Sequence, residues 1–124
     1  MKEARQDRVY RDLIDRLVAD CQTGQGQIGP ERARKGVWNA NANAKTFPDQ
    51  HEFNRLLSRM SKADRAILAR LLEEEFVSGV HTSLVALHEA QIPPFDLAYE
   101  GTPFHDFVGR LDDWKWPTSK KRVP

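Results

Sequence analysis

Apolar side chains recur at helical spacing over one long stretch of this chain, from Ser61 to Ile92. At about 100° per residue, Ala66, Ala69, Phe76, Val77, Val80, Leu84 and Leu87 share one stripe. Leu68, Leu72 and Ala86 widen it on one side, and Ile67 and Val85 lie beyond it on the other. Only a narrow strip with Asp64, Glu75, Ser78, Thr82 and Glu89 reads as solvated. A helix apolar around most of its girth is expected to be enclosed by protein. Its ends are marked by Ser61 with Asp64 three residues on, an acidic capping box, and by Pro93 and Pro94, which cannot continue the hydrogen-bond ladder.

The remaining pattern predicts three further helices. Residues 2–21 place Val9, Tyr10, Leu13, Ile14, Leu17, Val18 and Cys21 on one face and charges opposite, an amphipathic surface helix. Asp49, with Glu52 three residues later, reads as the N-cap of a helix through Met60 that turns Phe53, Leu56, Leu57 and Met60 inward. Thr102 followed by Pro103 starts a helix running to about Asp113, with Phe104, Phe107, Val108 and Leu111 on one face and Asp106 able to pair with Arg110. Trp114 and Trp116 then read as closing the fold, the aromatic-rich stretch docking as a lid on the central helix. Between Gln22 and Pro48 no regular element is evident, although Trp38 argues that part of this connection is pinned. The expectation is an all-α protein, an irregular or orthogonal four-helix domain around the 61–92 helix. It is a single helical domain over residues 1–117, with a basic, disordered tail over 118–124.

Composition narrows the function classes. Nineteen basic and eighteen acidic side chains leave a net charge of +1, so no overall field draws the protein to nucleic acid or to a membrane surface. A basic bias is confined to Lys120, Lys121 and Arg122. The lone Cys21 excludes an intrachain disulfide framework, no signal-peptide pattern is visible, and no apolar run approaches the ~18 residues of a membrane span. A cytoplasmic location is therefore expected. Cys21 itself sits on the apolar arc of its helix, where a small buried thiol is expected rather than a reactive one.

Several signatures of chemistry can be weighed directly. Gly24-Gln-Gly-Gln-Ile-Gly29 spells the dinucleotide fingerprint, but an amphipathic helix rather than a strand feeds it, and the residues after Pro30 offer little to pack on a sheet. A flexible helix exit is expected there. His51-Glu52 and His88-Glu89 lack the second His of a zincin, and the chain has no G-x-S-x-G or P-loop. Arg70, Glu74, His81 and His88 form a second stripe along the central helix. Two imidazoles and a carboxylate could act as acid and base. However, residues seven apart on a helix are separated by about 10.5 Å along its axis, too far for both imidazoles to ligate one ion. No metal, cofactor or catalytic residue is assigned on this basis. Glu73 projects into the apolar stripe and needs a partner such as Arg110, the Trp38 N–H or an Asn of the 39–43 repeat. His105, Asp106 and Arg110 form a polar cluster on the last helix.

The segment Phe76-Val-Ser-Gly-Val-His81, and still more Pro93-Pro-Phe95 with Tyr99-Glu-Gly-Thr-Pro-Phe-His-Asp-Phe-Val-Gly-Arg-Leu-Asp-Asp-Trp-Lys-Trp-Pro117, resembles a family of small uncharacterised bacterial proteins. The resemblance covers about residues 53–117. It implies a bacterial, all-helical domain of unknown function and transfers no activity or catalytic residues.

The leading expectation is a non-enzymatic protein-interaction module of an immunity-like or regulatory kind, by analogy with small soluble bacterial proteins. Its expected partner is another protein, and self-association into a homodimer is a further option. The alternative is a small-molecule-binding or hydrolytic pocket between the central helix and the 95–116 segment. Its candidate ligand-binding residues are Glu73, Glu74, His81, His88, His105, Asp106, Arg110 and Trp38. A third reading has Arg32, Arg34, Lys35, Trp38 and the basic tail contacting nucleic acid, against which the near-neutral charge counts.

Overall fold

Among the described residues, 2–118 of the computed structural model with side chains from Ala4 onward, all regular structure is helical. The helices are α1 (Lys2–Gln22), α2 (Ile28–Lys35), α3 (Pro48–Arg59), α4 (Lys62–Glu89) and α5 (Pro103–Leu111), with a 3-10 turn at Gln25–Gln27. The all-α class and all four expected helices are thus present. The basic residues Lys120, Lys121 and Arg122 of the expected tail lie outside the described residues.

Several local signals act as the sequence reading required. The Ser61 hydroxyl accepts the Asp64 N–H at 3.0 Å, and the Thr102 hydroxyl accepts the His105 N–H at 3.1 Å, with Pro103 occupying the first turn. The start of α3 differs from expectation. Its N-cap is Phe47, Pro48 opens the helix, and Asp49 lies inside the first turn, where its charge complements the helix dipole instead of capping.

The α2 helix was not foreseen. The turn from Gly24 is structured, not a loose exit, and α2 packs through Pro30 and Ala33, which are buried. A run such as Glu31-Arg-Ala-Arg-Lys35 carries too little apolar surface to register as amphipathic. Even so, a single small residue lets a helix approach its neighbours closely.

Three helices end in the same reversal. Gly36, Gln91 and Asp113 adopt positive φ of 82°, 56° and 63°. Behind each, paired bonds close the helix: Val37 N–H to Arg32 O and Gly36 N–H to Ala33 O; Ile92 N–H to Leu87 O and Gln91 N–H to His88 O; Trp114 N–H to Gly109 O and Asp113 N–H to Arg110 O. This is the Schellman arrangement.

The chain divides into two compact units, Met1–Gln22 with Ser78–Pro124, and Thr23–Val77. The α4 helix contributes residues to both. In Thr23–Val77 the core is Ala33, Leu57 and Ala69, with Trp38, Met60, Leu68 and Leu72 packed against it. The connection from Val37 to Phe47 is held by side-chain amides. Asn54 Oδ1 accepts the N–H groups of Trp38 (2.6 Å) and Asn39 (3.1 Å), and its Nδ2 donates to Asn39 O (2.7 Å). In the other unit α1 packs on α5, and Tyr10, Ile14, Leu84, Tyr99 and Phe107 are buried.

The expectation of an engulfed central helix is not met. Of α4 only Ala69 and Leu84 are buried, while Ile67 and Leu71 are 55% and 56% exposed and Ala66 and Ala86 are also open. Its apolar residues are spread around the axis almost without asymmetry. That pattern measures what a helix could bury, not how much chain is at hand to cover it. Phe53 and Leu56 on α3, and Val9 and Leu13 on α1, are likewise exposed where an inward orientation was expected. The buried face of α1 runs instead through Asp7, Tyr10, Ile14, Val18 and Cys21.

Gly36 provides a direct test of this packing. A Cβ at this position would lie 1.9 Å from Nη1 of Arg65, whose cation sits at the C-terminal end of α2, and the backbone there is left-handed. Gly36→Ala should therefore cost about 1–3 kcal/mol in urea unfolding. Adding Arg65→Ala should recover the steric part and leave the backbone part. A loss below a few tenths of a kcal/mol would show that this contact does not constrain the fold.

Candidate functional site

The densest polar constellation lies within Met1–Gln22 with Ser78–Pro124, and its centre is Asp106. This side chain is fully buried on α5. Its Oδ2 accepts the Tyr10 hydroxyl and the Tyr99 N–H (2.9 Å), and Oδ1 accepts the Glu100 N–H (2.8 Å). The Tyr99 hydroxyl in turn donates to the carboxylate of Asp7, at 2.6 and 2.7 Å from its two oxygens. Asp7 is also nearly fully buried, with Arg11 Nε 3.7 Å away. The two tyrosine rings stack, their centroids 6.2 Å apart and planes 15° apart. Trp116 packs on both, at 4.9 Å from Tyr99 and 6.0 Å from Tyr10.

Arg110 extends the network outward. Its Nε donates to Asp15 Oδ1 at 2.7 Å and its Nη1 to Trp114 O at 2.6 Å, while the guanidinium lies over the Trp116 ring. Trp116 Nε1–H donates to the other oxygen of Asp15 at 3.0 Å. The anticipated Asp106–Arg110 pair along α5 does not form, because Asp106 faces the buried tyrosines and loop amides while Arg110 reaches across to α1. Bonds from Tyr10, Tyr99 and Glu100 to these buried side chains tie α1, the segment before α5 and α5 together.

The histidines lie elsewhere in the same unit. His81 and His88 both pack against Phe104, with ring centroids 5.2 and 6.1 Å from it, and His105 lies 5.1 Å from the same ring. His88 Nδ1 is 2.9 Å from Phe95 O; a carbonyl only accepts, so Nδ1 carries the hydrogen. His105 is exposed, its Nδ1 2.5 Å from the Thr102 hydroxyl. The three imidazoles are therefore gathered around an apolar phenyl ring.

The remaining candidates belong to Thr23–Val77. Trp38 is half-buried, with Arg32 5.4 Å over its ring and Phe53 edge-on at 6.2 Å, and it packs against the local core. Glu73 finds its partner in Arg34, at 2.5 Å, not in Arg110, Trp38 or an Asn. Both side chains are about one-third to one-half exposed, so the pair contributes about 0–1 kcal/mol. Glu74 is exposed.

Sequence reasoning missed Asp7, Tyr10 and Tyr99 as a bonded set. Asp7 falls one turn before Tyr10 on the apolar arc, and a carboxylate at that position was the available signal.

Two consequences can be measured. Asp106→Asn puts an NH2 where a carboxylate oxygen accepts an N–H, and should cost about 2–3 kcal/mol in denaturant unfolding. A cost under 0.5 kcal/mol would mean these acceptors are dispensable. The Cys21 thiol is pushed up from 9.0 by burial and, secondarily, by the Asp20 carboxylate. A raised value leaves less thiolate at neutral pH, so Cys21 should react with a disulfide reagent at least about tenfold more slowly in the native protein than after denaturation. Equal rates would contradict the burial.

No helix among the described residues is long and apolar enough to cross a membrane. No curated protein and no solved structure matches the chain. A family model described as "family of unknown function (DUF6547)" matches residues 3–118, so the chain belongs to that family.

Proposed function

We propose that this chain is a protein-interaction module without catalytic activity of its own, acting in the bacterial cytoplasm as an immunity-like or regulatory partner of another protein. The observation that supports this reading is the outward face of α4 within Thr23–Val77. Ile67 and Leu71 each lie two residues from the buried Ala69, about 200° around the helix, so both point away from the core. Both remain more than half exposed. Ala63, one turn earlier, is exposed as well, and Asp64, Arg70, Glu74 and Glu75 border the strip. An apolar stripe with a charged margin on a helix suits insertion into a partner's groove.

The pocket alternative gains less support, because Phe104 stands among the imidazoles that would line it. For nucleic-acid contact, Arg34 is engaged by Glu73 and Arg32 lies over Trp38.

The test is a double variant, Ile67→Glu with Leu71→Glu. Because both side chains are on the surface, its stability should stay within about 0.5 kcal/mol of wild type. Affinity capture from extract of the source cells should yield a specific partner with the wild-type chain and lose it with the variant. A wild-type chain that captures nothing specific, or a variant that captures the same partner, would refute the reading.

A further inference from the structure

A cavity of about 270 Å3 lies within Met1–Gln22 with Ser78–Pro124, and its lining includes none of the imidazoles around Phe104. Arg5, Gln6 and Val9 line it from the first turns of α1, and Pro93 and Pro94 line it from the turn after α4. Residues 5, 6 and 9 share one side of a helix, because four residues make about one turn. The spacing of the two walls is set by the next residue along each. Tyr10, fully buried, meets Phe95 edge-on, their ring centroids 6.4 Å apart.

The proline turn is bonded on both sides. Phe95 N–H donates to Ile92 O at 2.7 Å, Leu97 N–H to Pro94 O at 3.3 Å, and His88 Nδ1–H to Phe95 O at 2.9 Å. Proline has almost no side-chain freedom to lose, and valine is stiff at χ1. The apolar walls are therefore formed before anything binds, and a pre-formed site loses little entropy when a ligand enters.

Charge at the rim has one sign. Arg5 is the only charged residue of the lining, and among the described residues its guanidinium enters no ion pair. Arg8, exposed on the same helix, adds to the positive potential, whereas Asp7 is buried and bonded to Tyr99. Asp96, exposed beyond Pro94, is not part of the lining. A guanidinium presents paired donors that match a carboxylate, and the Gln6 amide supplies a further N–H beside it. One cation among three apolar side chains suits a single negative charge on an apolar body; the second charge of a phosphate would go unmatched there. The volume is just under the ~300 Å3 at which small-molecule pockets begin, room for one ring and a short chain.

From these features we infer that the cavity binds a small aryl-alkanoic acid, its carboxylate on Arg5 and Gln6 and its ring between Val9 and the two prolines. The site is separate from the Ile67 and Leu71 face of α4 and does not rest on the protein-interaction reading.

The experiment is an amide chemical-shift titration of the full, isotope-labelled chain with 3-phenylpropionate at low salt. Shifts at Gln6, Val9 and Phe95 should saturate with a Kd on the order of 1 mM or tighter. The amide 3-phenylpropionamide, which has the shape without the charge, should bind at least about tenfold more weakly, as should acetate, which has the charge without the ring. Arg5→Gln should weaken 3-phenylpropionate at least about tenfold and abolish the preference for acid over amide. Val9→Glu should abolish binding. Both positions are exposed, so both variants should melt within about 2 °C of wild type. The Ile67→Glu, Leu71→Glu variant should bind the acid as wild type does, which keeps this site distinguishable from the α4 face. No saturation by about 20 mM acid, or saturating shifts confined to Thr23–Val77, would overturn the inference. So would equal affinity for acid and amide, wild-type affinity in Arg5→Gln, or tighter binding of phenyl phosphate than of the carboxylate.

Discussion

A carboxylate removed from water must find donors inside the protein, and Asp106 finds three. They come from places far apart in sequence: a tyrosine on α1 and two consecutive amides in the turn before α5. The requirement runs both ways, since those amides begin an irregular segment that offers them no helical partners. One side chain thereby settles where residues 98–102 lie against α1. Tyr99, fixed at its amide by Asp106, is fixed again at its hydroxyl by Asp7. Breaking either end leaves a buried polar group short of a bond, so this part of the fold is specified by polar pairing as much as by apolar area.

The unit formed by Thr23–Val77 is built on different physics. Its core is small, with two alanines and a leucine at the centre, and half-buried larger side chains complete it. Precision comes from amides: Asn54 brackets the chain at Trp38 and Asn39, and Asn43 organises the turn before Phe47. A small core leaves large side chains outside it. Ile67, Leu71, Phe53, Leu56 and Phe47 all remain substantially exposed, and the reading of this protein as an interaction module grows from that imbalance.

The histidines show what spacing along one helix leaves open. His81 and His88 lie on the same side of α4, and two imidazoles on one helix edge suggest acid–base chemistry. Around them stands Phe104, an apolar ring that contacts both. Which side chain α5 sends toward α4 depends on how that helix is docked, and Asp106 and Tyr10 govern the docking.

By itself, the sequence determined the all-helical class, the caps at Ser61 and Thr102, and an outer limit at Pro93 that α4 does not reach, since the helix closes at Glu89 and Gln91 reverses the chain. These follow from short-range rules, in which a hydroxyl reaches an amide three residues on or a proline lacks its own. It also placed Cys21 among buried side chains, because one turn-to-turn pattern sufficed. Only the tertiary structure decided the rest. The α2 helix forms because Ala33 meets Leu57 and Ala69, contacts between residues dozens of positions apart. Glu73 pairs with Arg34, and Asp106 with Tyr10, for the same reason. The exposure of α4 depends on how much chain is folded against it, a quantity that periodicity along one helix does not contain.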